Sequence, residues 1–327
     1  MEKDKINPEA LSGFANGALY DQHRPSYPAT AVDKLLNAVR VAGIAEANIV
    51  DLAAGTGKFT ELLAGRPEGY NVVAVEPHAE MRKELEKKSL RNVDVDDGLS
   101  TSIPVQDGSV DAVIVAQAFH WFANQDSLKE IHRVLKFSGV LGLIWNVEDC
   151  QWPEGMVDLH LLLQDHVPSP SCFCYFSYGV YFQADTMPST DNAPEAHTAT
   201  TNWESKLHAL TWTFKDDAPR YRHEKWREVF DSQLKATPLT ITALANPLFS
   251  LPLAEDEEEW TVWLEKEELW KRYRTLSHVA VLEGEGLENA RKVFDEALSS
   301  PDVERNNEGK IAVHGRTVMA WTSKIPA

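Results

Sequence analysis

Two acidic residues and two glycines have the spacing of a ligand-binding turn. Asp51 lies at the end of one apolar run, and Gly55 and Gly57 follow it. Glu76 ends the next apolar run. Glycines let the backbone turn sharply and approach a ligand, and a carboxylate can accept hydrogen bonds from both hydroxyls of a ribose. These residues predict a site for a ribose-containing ligand, and the alternative is a tight turn without a ligand.

Three ligand classes could use such a turn. A Walker-A phosphate loop requires Gly-Lys-Ser/Thr, but Gly57-Lys58 is followed by Phe59, so this class is excluded. A dinucleotide fingerprint needs a third small residue where this chain has Thr60, which weakens that match. S-adenosylmethionine carries a sulfonium and an ammonium group that suit Asp51, and a ribose that suits Glu76. The residues favour this cofactor over a dinucleotide and leave the second class open.

His120 is the residue best placed to move a proton. It follows the apolar run 110–116, close to the edge where that predicted strand ends. Transfer of a group to a hydroxyl or an amine can need a general base, whereas a carboxylate acceptor needs none. We therefore expect His120 to be the catalytic candidate. The alternative is that His120 and Trp121 pack beneath the cofactor.

Strands and helices alternate through the first 150 residues, and this order would bring the residues above to one edge of a sheet. Apolar runs predict strands at 47–52, 70–76, 93–95, 110–116 and 140–145. Helical spacing predicts helices at 28–43, 59–64, 78–89 and 127–135. Uninterrupted apolar runs are typical of parallel strands covered on both faces. The pattern predicts an α/β fold with a doubly wound, mostly parallel sheet.

Beyond residue 150 this alternation stops. Residues 166–184 contain no Asp, Glu, Lys or Arg, and a segment rich in Pro, Thr and Ser follows them. We expect an irregular insertion over 151–202, either a long surface loop or a lid or partner-binding patch. The domain prediction is a cofactor-binding core over 1–150, this insertion, and a helical substrate cap with the last sheet strands over 203–327.

Two features of the last segment predict opposite kinds of structure. Trp260, Trp263 and Trp270 lie near helical spacing, and the acidic run 255–259 precedes them. This pattern predicts a helix whose acidic start is exposed to solvent. The run 310–323 alternates partly between apolar and polar residues, and it predicts a strand that pairs antiparallel at the sheet edge.

Composition limits the kinds of partner. The chain has 327 residues and a formal net charge of −18, which disfavours nucleic acid and anionic membrane surfaces. Three cysteines are too few for a disulfide framework, and no spacing suggests a metal site. The charged N-terminus leads into no apolar signal segment. We expect a cytoplasmic monomer or homodimer that binds a small-molecule substrate, no nucleic acid, no membrane and no metal.

Residues 14–146 resemble the core of class I S-adenosylmethionine-dependent methyltransferases. The motifs that carry this resemblance are at residues 50–60, 74–81, 102–111, 117–122 and 131–139. Their order and spacing are similar to the small-molecule subgroup that resembles trans-aconitate methyltransferase and its fungal relatives. The resemblance implies a seven-stranded Rossmann-like sheet with an antiparallel carboxy-terminal edge strand. Residues 116–119 also lack the Asp/Asn-Pro-Pro-Tyr/Phe motif of enzymes that methylate nucleic-acid amino groups, which points again to a small molecule.

The resemblance also implies how the cofactor is held. The methionine and ribose would be bound by Asp51, Ala53, Gly55 and Gly57, with Glu76 on the ribose hydroxyls. The adenine would be enclosed by Pro77, Met81, Leu99 and Ser100. Gln117 would border the methionine end. The segment 14–28 would close over the cofactor through Tyr20 and Arg24, with Arg24 paired to the cofactor carboxylate.

The function that follows is methyl transfer from S-adenosylmethionine, which leaves S-adenosylhomocysteine, to a small-molecule acceptor. O-methylation of a carboxylate or a hydroxyl is favoured. Two alternatives remain. One is a non-catalytic protein that binds the cofactor or another partner, and the other is a nicotinamide-dependent oxidoreductase.

Overall fold

A seven-stranded mixed sheet forms the centre of the computed structural model, which describes residues 17–149, 199–213, 219–233 and 247–326. Its strands are β1 (Asn48–Leu52), β2 (Asn71–Val75), β3 (Val93–Asp96), β4 (Val110–Ala116), β5 (Leu135–Glu148), β6 (Ala254–Leu264) and β7 (Ile311–Ser323). The strand order is β3-β2-β1-β4-β5-β7-β6. Strands β1 to β5 pair in parallel, whereas β7 pairs antiparallel with both β5 and β6. The predicted α/β fold class is confirmed.

Helices connect these strands and cover the sheet. They are α1 (Gly17–His23), α2 (Ala29–Ala38), α3 (Lys58–Ala64), α4 (Ala79–Lys87), α5 (Gln125–Val134), α6 (Asn202–Thr213), α7 (Glu228–Asp231), α8 (Lys266–Tyr273), α9 (Ser277–Ala280) and α10 (Gly284–Ala297). Single 3₁₀ turns lie at Phe119–Trp121, Tyr221–His223 and Lys225–Arg227. The helices predicted in the first 150 residues are present, with ends that differ by a few residues.

The central strands are held by apolar clusters on both faces. Val50, Val113 and Trp145 belong to one cluster, together with aromatic residues from 226–230. Ile49 and Ile114 belong to the other, beneath α2. Because adjacent side chains of a strand point to opposite faces, a strand buried on both faces must be apolar throughout. Each fully buried aliphatic side chain contributes roughly 1.5–3 kcal/mol to this packing.

The helix predicted around the acidic run is wrong, because residues 254–264 form the edge strand β6. Trp260, Val262 and Leu264 alternate along it and are half-buried, and the last two pack on a third apolar cluster formed by α6, α8, α10 and β7. Ion pairs offset the charge repulsion: Lys34 lies 2.8 Å from Glu258 and Arg316 lies 2.9 Å from Glu257. The edge of the sheet is therefore β6, and β7 lies one strand inside it.

Other boundaries follow from this arrangement. Residues 151–198 of the expected insertion lie outside the described residues, and Asn202 already begins α6. The domain boundaries stay a prediction, although residues from both sides of the insertion contribute strands to one sheet. Phe249 forms an isolated bridge with Lys324, outside the seven strands. Within the described ranges, no helix is long and apolar enough to cross a membrane.

Candidate functional site

A cavity of about 390 Å³ lies at the carboxyl ends of β1, β2 and β4. Residues 52–56 after β1, 76–78 after β2 and 116–118 after β4 line it. Residues 24–27, which precede α2, and residues 98–101 complete its wall. Small-molecule sites have volumes of roughly 300–1,000 Å³, and in open parallel sheets they lie at this edge.

The turn after β1, residues 53–57, is called the β1 turn here. Ala53, Gly55 and Gly57 adopt φ values of 59°, 60° and 85°, a region that strains every residue except glycine by roughly 1–2 kcal/mol. A Cβ on Gly55 would have Met81 Sδ as its nearest neighbour, at 3.8 Å. A Cβ on Gly57 would lie 2.2 Å from Leu85 Cδ1 of α4. Gly55 therefore lies at the open cavity, whereas Gly57 allows the close packing of the turn on α4.

Asp51 lies behind the β1 turn and is fully buried. Its Oδ2 accepts a hydrogen bond of 2.6 Å from Thr60 Oγ1, and its Oδ1 has no partner among the residues that the structure describes. Burial raises the pKa of Asp51 to about 7, although the Thr60 hydrogen bond opposes this shift. The Asp51 side chain does not line the cavity. A cation in the cavity would lower this pKa, because opposite charge stabilises the ionised carboxylate.

Glu76 lines the cavity, and backbone groups fix its carboxylate. Oε2 accepts a hydrogen bond of 2.7 Å from the Gly55 N–H, and Oε1 accepts one of 2.7 Å from the His78 N–H. Burial raises the pKa of Glu76, and these two hydrogen bonds act against that shift. A carboxylate has about four lone-pair positions, so each oxygen can still accept a second hydrogen bond. Two adjacent hydroxyl groups of a ribose match this arrangement.

The segment of residues 24–27 contributes Arg24, Pro25 and Tyr27 to the cavity wall, and it is called the strap here. Arg24 lines the cavity and donates from Nη2 to the Thr275 carbonyl at 3.4 Å. The Ser26 carbonyl accepts a hydrogen bond of 3.0 Å from Asn146 Nδ2. Tyr27 packs edge-on against Phe59, with ring centroids 5.3 Å apart. Tyr20 belongs to α1, and its side chain lies outside the described residues.

The turn after β4, residues 117–122, is called the β4 turn here. Gln117 has a φ of 62° and donates from Nε2 to the Asn146 carbonyl at 2.9 Å. Trp121 and Phe122 line the cavity. The Arg220 guanidinium lies 4.7 Å from the centroid of the Trp121 ring, within range of a cation–π contact. The β4 turn thus presents an amide and aromatic surfaces to the cavity.

His120 belongs to the same turn but does not line the cavity. Trp145 Nε1 donates to His120 Nδ1 at 3.4 Å, which places the proton of the neutral ring on Nε2. Burial, together with the charges of Arg220 and His223, lowers the pKa of His120 to about 3. The ring is then neutral at pH 7 and a weak base. Its catalytic role stays a prediction, and its surroundings favour the packing alternative.

The structure brings most of the predicted cofactor residues to one cavity. Those that line it are Arg24, Ala53, Gly55, Glu76, Pro77, Met81, Leu99, Ser100 and Gln117. Asp51 and Gly57 lie behind this surface. Thr56, Lys58 and Asn124 also line the cavity and were missed by the sequence reasoning. The position of Thr56 between the two glycines is the signal that could have identified it.

The seven-stranded mixed sheet with helices is a fold that this chain shares with solved structures named as methyltransferases. Residues 50–143 match the family model described as a methyltransferase domain. This match agrees with the motif resemblance over this segment.

Comparisons with individual proteins agree. The chain is 33% identical over 213 residues to a Schizosaccharomyces pombe protein named "Uncharacterized methyltransferase-like C25B8.10", and the match covers 64% of this chain and 62% of that protein. It is 45% identical over 137 residues to "Uncharacterized methyltransferase Rv3342" of Mycobacterium tuberculosis. This match covers 42% of this chain and 52% of that protein. The matches thus span less than two thirds of these relatives. A solved structure named as a methyltransferase from Anaeromyxobacter dehalogenans shares the fold, with a TM-score of 0.50 at 16% identity over 93% of this chain and 99% of that one.

Proposed function

We propose that this protein transfers a methyl group from S-adenosylmethionine to an oxygen atom of a small-molecule acceptor. The observation that carries the proposal is the Glu76 carboxylate in the cavity at the ends of β1, β2 and β4. Backbone N–H groups hold both of its oxygens at 2.7 Å, and its remaining lone pairs suit the two hydroxyl groups of a ribose. A methyltransferase domain surrounds this carboxylate.

The cofactor, when bound, supplies an electrophilic methyl carbon on its sulfonium. Glu76 would accept hydrogen bonds from the ribose, and Arg24 would pair with the cofactor carboxylate. The adenine would lie among Pro77, Met81, Leu99 and Ser100, all of which line the cavity. The Asp51 carboxylate behind the β1 turn favours a cationic ligand over a pyrophosphate. The chain's own contribution is to position the methyl donor and acceptor, as bimolecular transfer requires.

The acceptor would lie at the β4 turn, beside Trp121 and Phe122. His120 is a weak base because its pKa is about 3, so an acceptor that needs no deprotonation is favoured. A carboxylate is such an acceptor at neutral pH. The Arg220 cation near Trp121 would offset the repulsion between an anionic acceptor and an acidic protein. The motif resemblance to trans-aconitate methyltransferase points in the same direction.

Calorimetry with S-adenosylhomocysteine tests the cofactor assignment. We expect the wild type to bind and Glu76→Gln to bind roughly 10- to 100-fold more weakly, because hydrogen bonds to a charged group contribute about 1.5–3 kcal/mol. Glu80→Gln is the matched control, since Glu80 is exposed on α4 and pairs with Lys83. Failure of the wild type to bind, or equal binding by Glu76→Gln, would contradict the assignment. Binding of a nicotinamide dinucleotide in its place would support the oxidoreductase alternative.

A panel of acceptors with cofactor labelled in its methyl group tests the reaction. We expect label to be transferred to a carboxylate or a hydroxyl compound. Mild alkali then distinguishes the products, since it releases labelled methanol from a methyl ester but not from an ether or an amine. Label transfer only to amines would refute O-methylation. Cofactor binding without transfer to any acceptor would support a non-catalytic protein.

A further inference from the structure

Asp21 of α1 joins the amino-terminal helix to the β1 turn. Its Oδ1 accepts a hydrogen bond of 2.7 Å from Thr56 Oγ1, and Thr56 lies between the two glycines of the turn and lines the cavity. The same oxygen lies 2.9 Å from Lys88 Nζ, just after α4. Lys58 Nζ, at the start of α3, is 3.9 Å away. One carboxylate oxygen therefore contacts two separate segments, the β1 turn with the start of α3 and the residue that follows α4.

The position of Asp21 in the chain connects these contacts to the strap, which forms part of the cavity wall. α1 ends at His23, and the strap of residues 24–27 follows it directly. Arg24, Pro25 and Tyr27 of the strap line the cavity. Asn146 holds the far end of the strap through the Ser26 carbonyl, at 3.0 Å. A break at Asp21 would loosen α1 next to the strap, and the strap itself would keep the contacts of Arg24 with the Thr275 carbonyl and of Ser26 with Asn146.

The charges around Asp21 keep it ionised. Burial alone would raise its pKa, but the hydrogen bonds from Lys88 and Thr56 and the positive charges of Lys88 and Lys58 lower it. The contacts with Lys88 and Thr56 are therefore charge-assisted hydrogen bonds, which are stronger than neutral ones. Glu61 also contacts Lys88, at 3.0 Å. No contact of Glu61 with α1 is present among the residues that the structure describes.

We propose that Asp21 is a positioning residue for cofactor binding, because its carboxylate holds α1 and the strap against Thr56 and Lys88 and so keeps the cavity wall in place before the cofactor arrives. This inference rests on the proposed function. When a ligand binds only the ordered state, its apparent affinity is its intrinsic affinity multiplied by the fraction of molecules in that state. Loss of the carboxylate lowers that fraction and so slows the apparent association of the cofactor.

The test compares Asp21→Ala, Asp21→Asn and Glu61→Gln. Asp21→Asn keeps an oxygen that accepts from Thr56 but removes the charge, and it serves if the alanine variant does not fold. Glu61→Gln is the control, since it removes an equal charge from the same Lys88 without involving α1. Stopped-flow measurement of S-adenosylhomocysteine binding gives the association and dissociation rates. Hydrogen exchange of residues 17–28 reports the order of α1 and the strap without cofactor.

We expect Asp21→Ala to weaken S-adenosylhomocysteine binding about tenfold or more, mainly through slower apparent association, because loss of the charge-assisted contacts leaves fewer molecules with an ordered wall. Exchange should rise in residues 17–28 of the free protein, Asp21→Asn should give a smaller effect, and Glu61→Gln should match the wild type. Faster exchange with unchanged binding would reduce Asp21 to a structural contact and overturn the proposal. Equal behaviour of the Asp21 and Glu61 variants would overturn it as well. If the wild type itself does not bind, the proposed function fails, whereas the exchange result still decides whether Asp21 holds α1.

Discussion

The β1 turn and the β4 turn follow neighbouring strands of one sheet, yet they are built from different groups. At the β1 turn the functional groups are backbone N–H groups, two glycines and the buried carboxylates of Asp51 and Glu76. At the β4 turn they are an amide, aromatic rings and a neutral imidazole, from Gln117, Trp121 and His120. One side of the cavity is thus acidic, and the other is uncharged apart from the nearby Arg220.

This difference separates two tasks at one sheet edge. Buried carboxylates near the β1 turn favour a ligand with positive charge, because unpaired negative charge in a poorly solvated place is costly. A neutral β4 turn can hold an acceptor while the positively charged part of the cofactor stays near the β1 turn. The chemistry of the cavity therefore changes across the few ångströms between adjacent strands.

The largest expected effect concerns the titration of Asp51. Its carboxyl pKa is raised to about 7 in the folded protein, above its value in the unfolded chain. The stability contributed by the protonated form is fully present below about pH 4 and is lost as pH rises through about 7. We expect Asp51→Asn, which is close in shape, to gain stability relative to the wild type by an amount on the order of 4 kcal/mol between these limits. Urea unfolding across the pH range measures it, and parallel curves would show that Asp51 is not the titrating group.

The two glycines of the β1 turn give the next largest effect. Gly57→Ala combines left-handed strain with a Cβ 2.2 Å from the buried Leu85, and we expect a loss of about 2–4 kcal/mol in the free energy of unfolding. Gly55→Ala carries only the strain, about 1–2 kcal/mol, but its methyl group enters the cavity. Chemical unfolding should rank the two variants in this order. Calorimetry should show weaker S-adenosylhomocysteine binding by Gly55→Ala.

The first half of the fold could be predicted from sequence because its signals are local. A parallel strand buried on both faces is a mostly apolar run, and β1, β2 and β4 all have this form, with Asp51 in β1 and Asp111 in β4 as exceptions. The edge strand β6 has no such run, because only Trp260, Val262 and Leu264 show the alternation of a half-buried strand. Trp263 is 42% exposed, so its apparent helical spacing with Trp260 had no structural basis.

The residues of the candidate site could likewise be predicted where their sequence signals are local. Gly55 and Glu76 follow their strands directly, so the topology alone brings them to the cavity edge. That Asp51 and Gly57 lie behind the turn depends on contacts with Thr60 and Leu85, which no sequence pattern states. The low pKa of His120 depends first on burial and then on the charges of Arg220 and His223, far along the chain. Local pattern therefore predicts which side chains meet, and tertiary packing determines their charge state.

Gln117 gives a smaller effect at the β4 turn. Its Nε2 bond to the Asn146 carbonyl is 2.9 Å long, and Asn146 also donates to the Ser26 carbonyl of the strap. Gln117→Ala should cost about 1 kcal/mol in the free energy of unfolding, the usual contribution of one hydrogen bond. We also expect its effect on turnover to exceed its effect on cofactor affinity, since Gln117 belongs to the β4 turn, where we propose that the acceptor binds. Steady-state kinetics at saturating acceptor separates kcat from the cofactor KM, and a change confined to KM would contradict this placement.

The smallest effect is expected for His120→Gln. This variant tests whether the β4 turn supplies a general base to the reaction. A base with a pKa of about 3 is already unprotonated across the neutral range, so its removal should leave the shape of the pH–rate profile unchanged between about pH 6 and 9. Glutamine retains polar atoms near Trp145 Nε1, so stability should change by less than about 1 kcal/mol. Loss of a basic limb from the profile, or a fall in kcat of about a hundredfold or more, would restore His120 as the general base and favour a hydroxyl acceptor over a carboxylate.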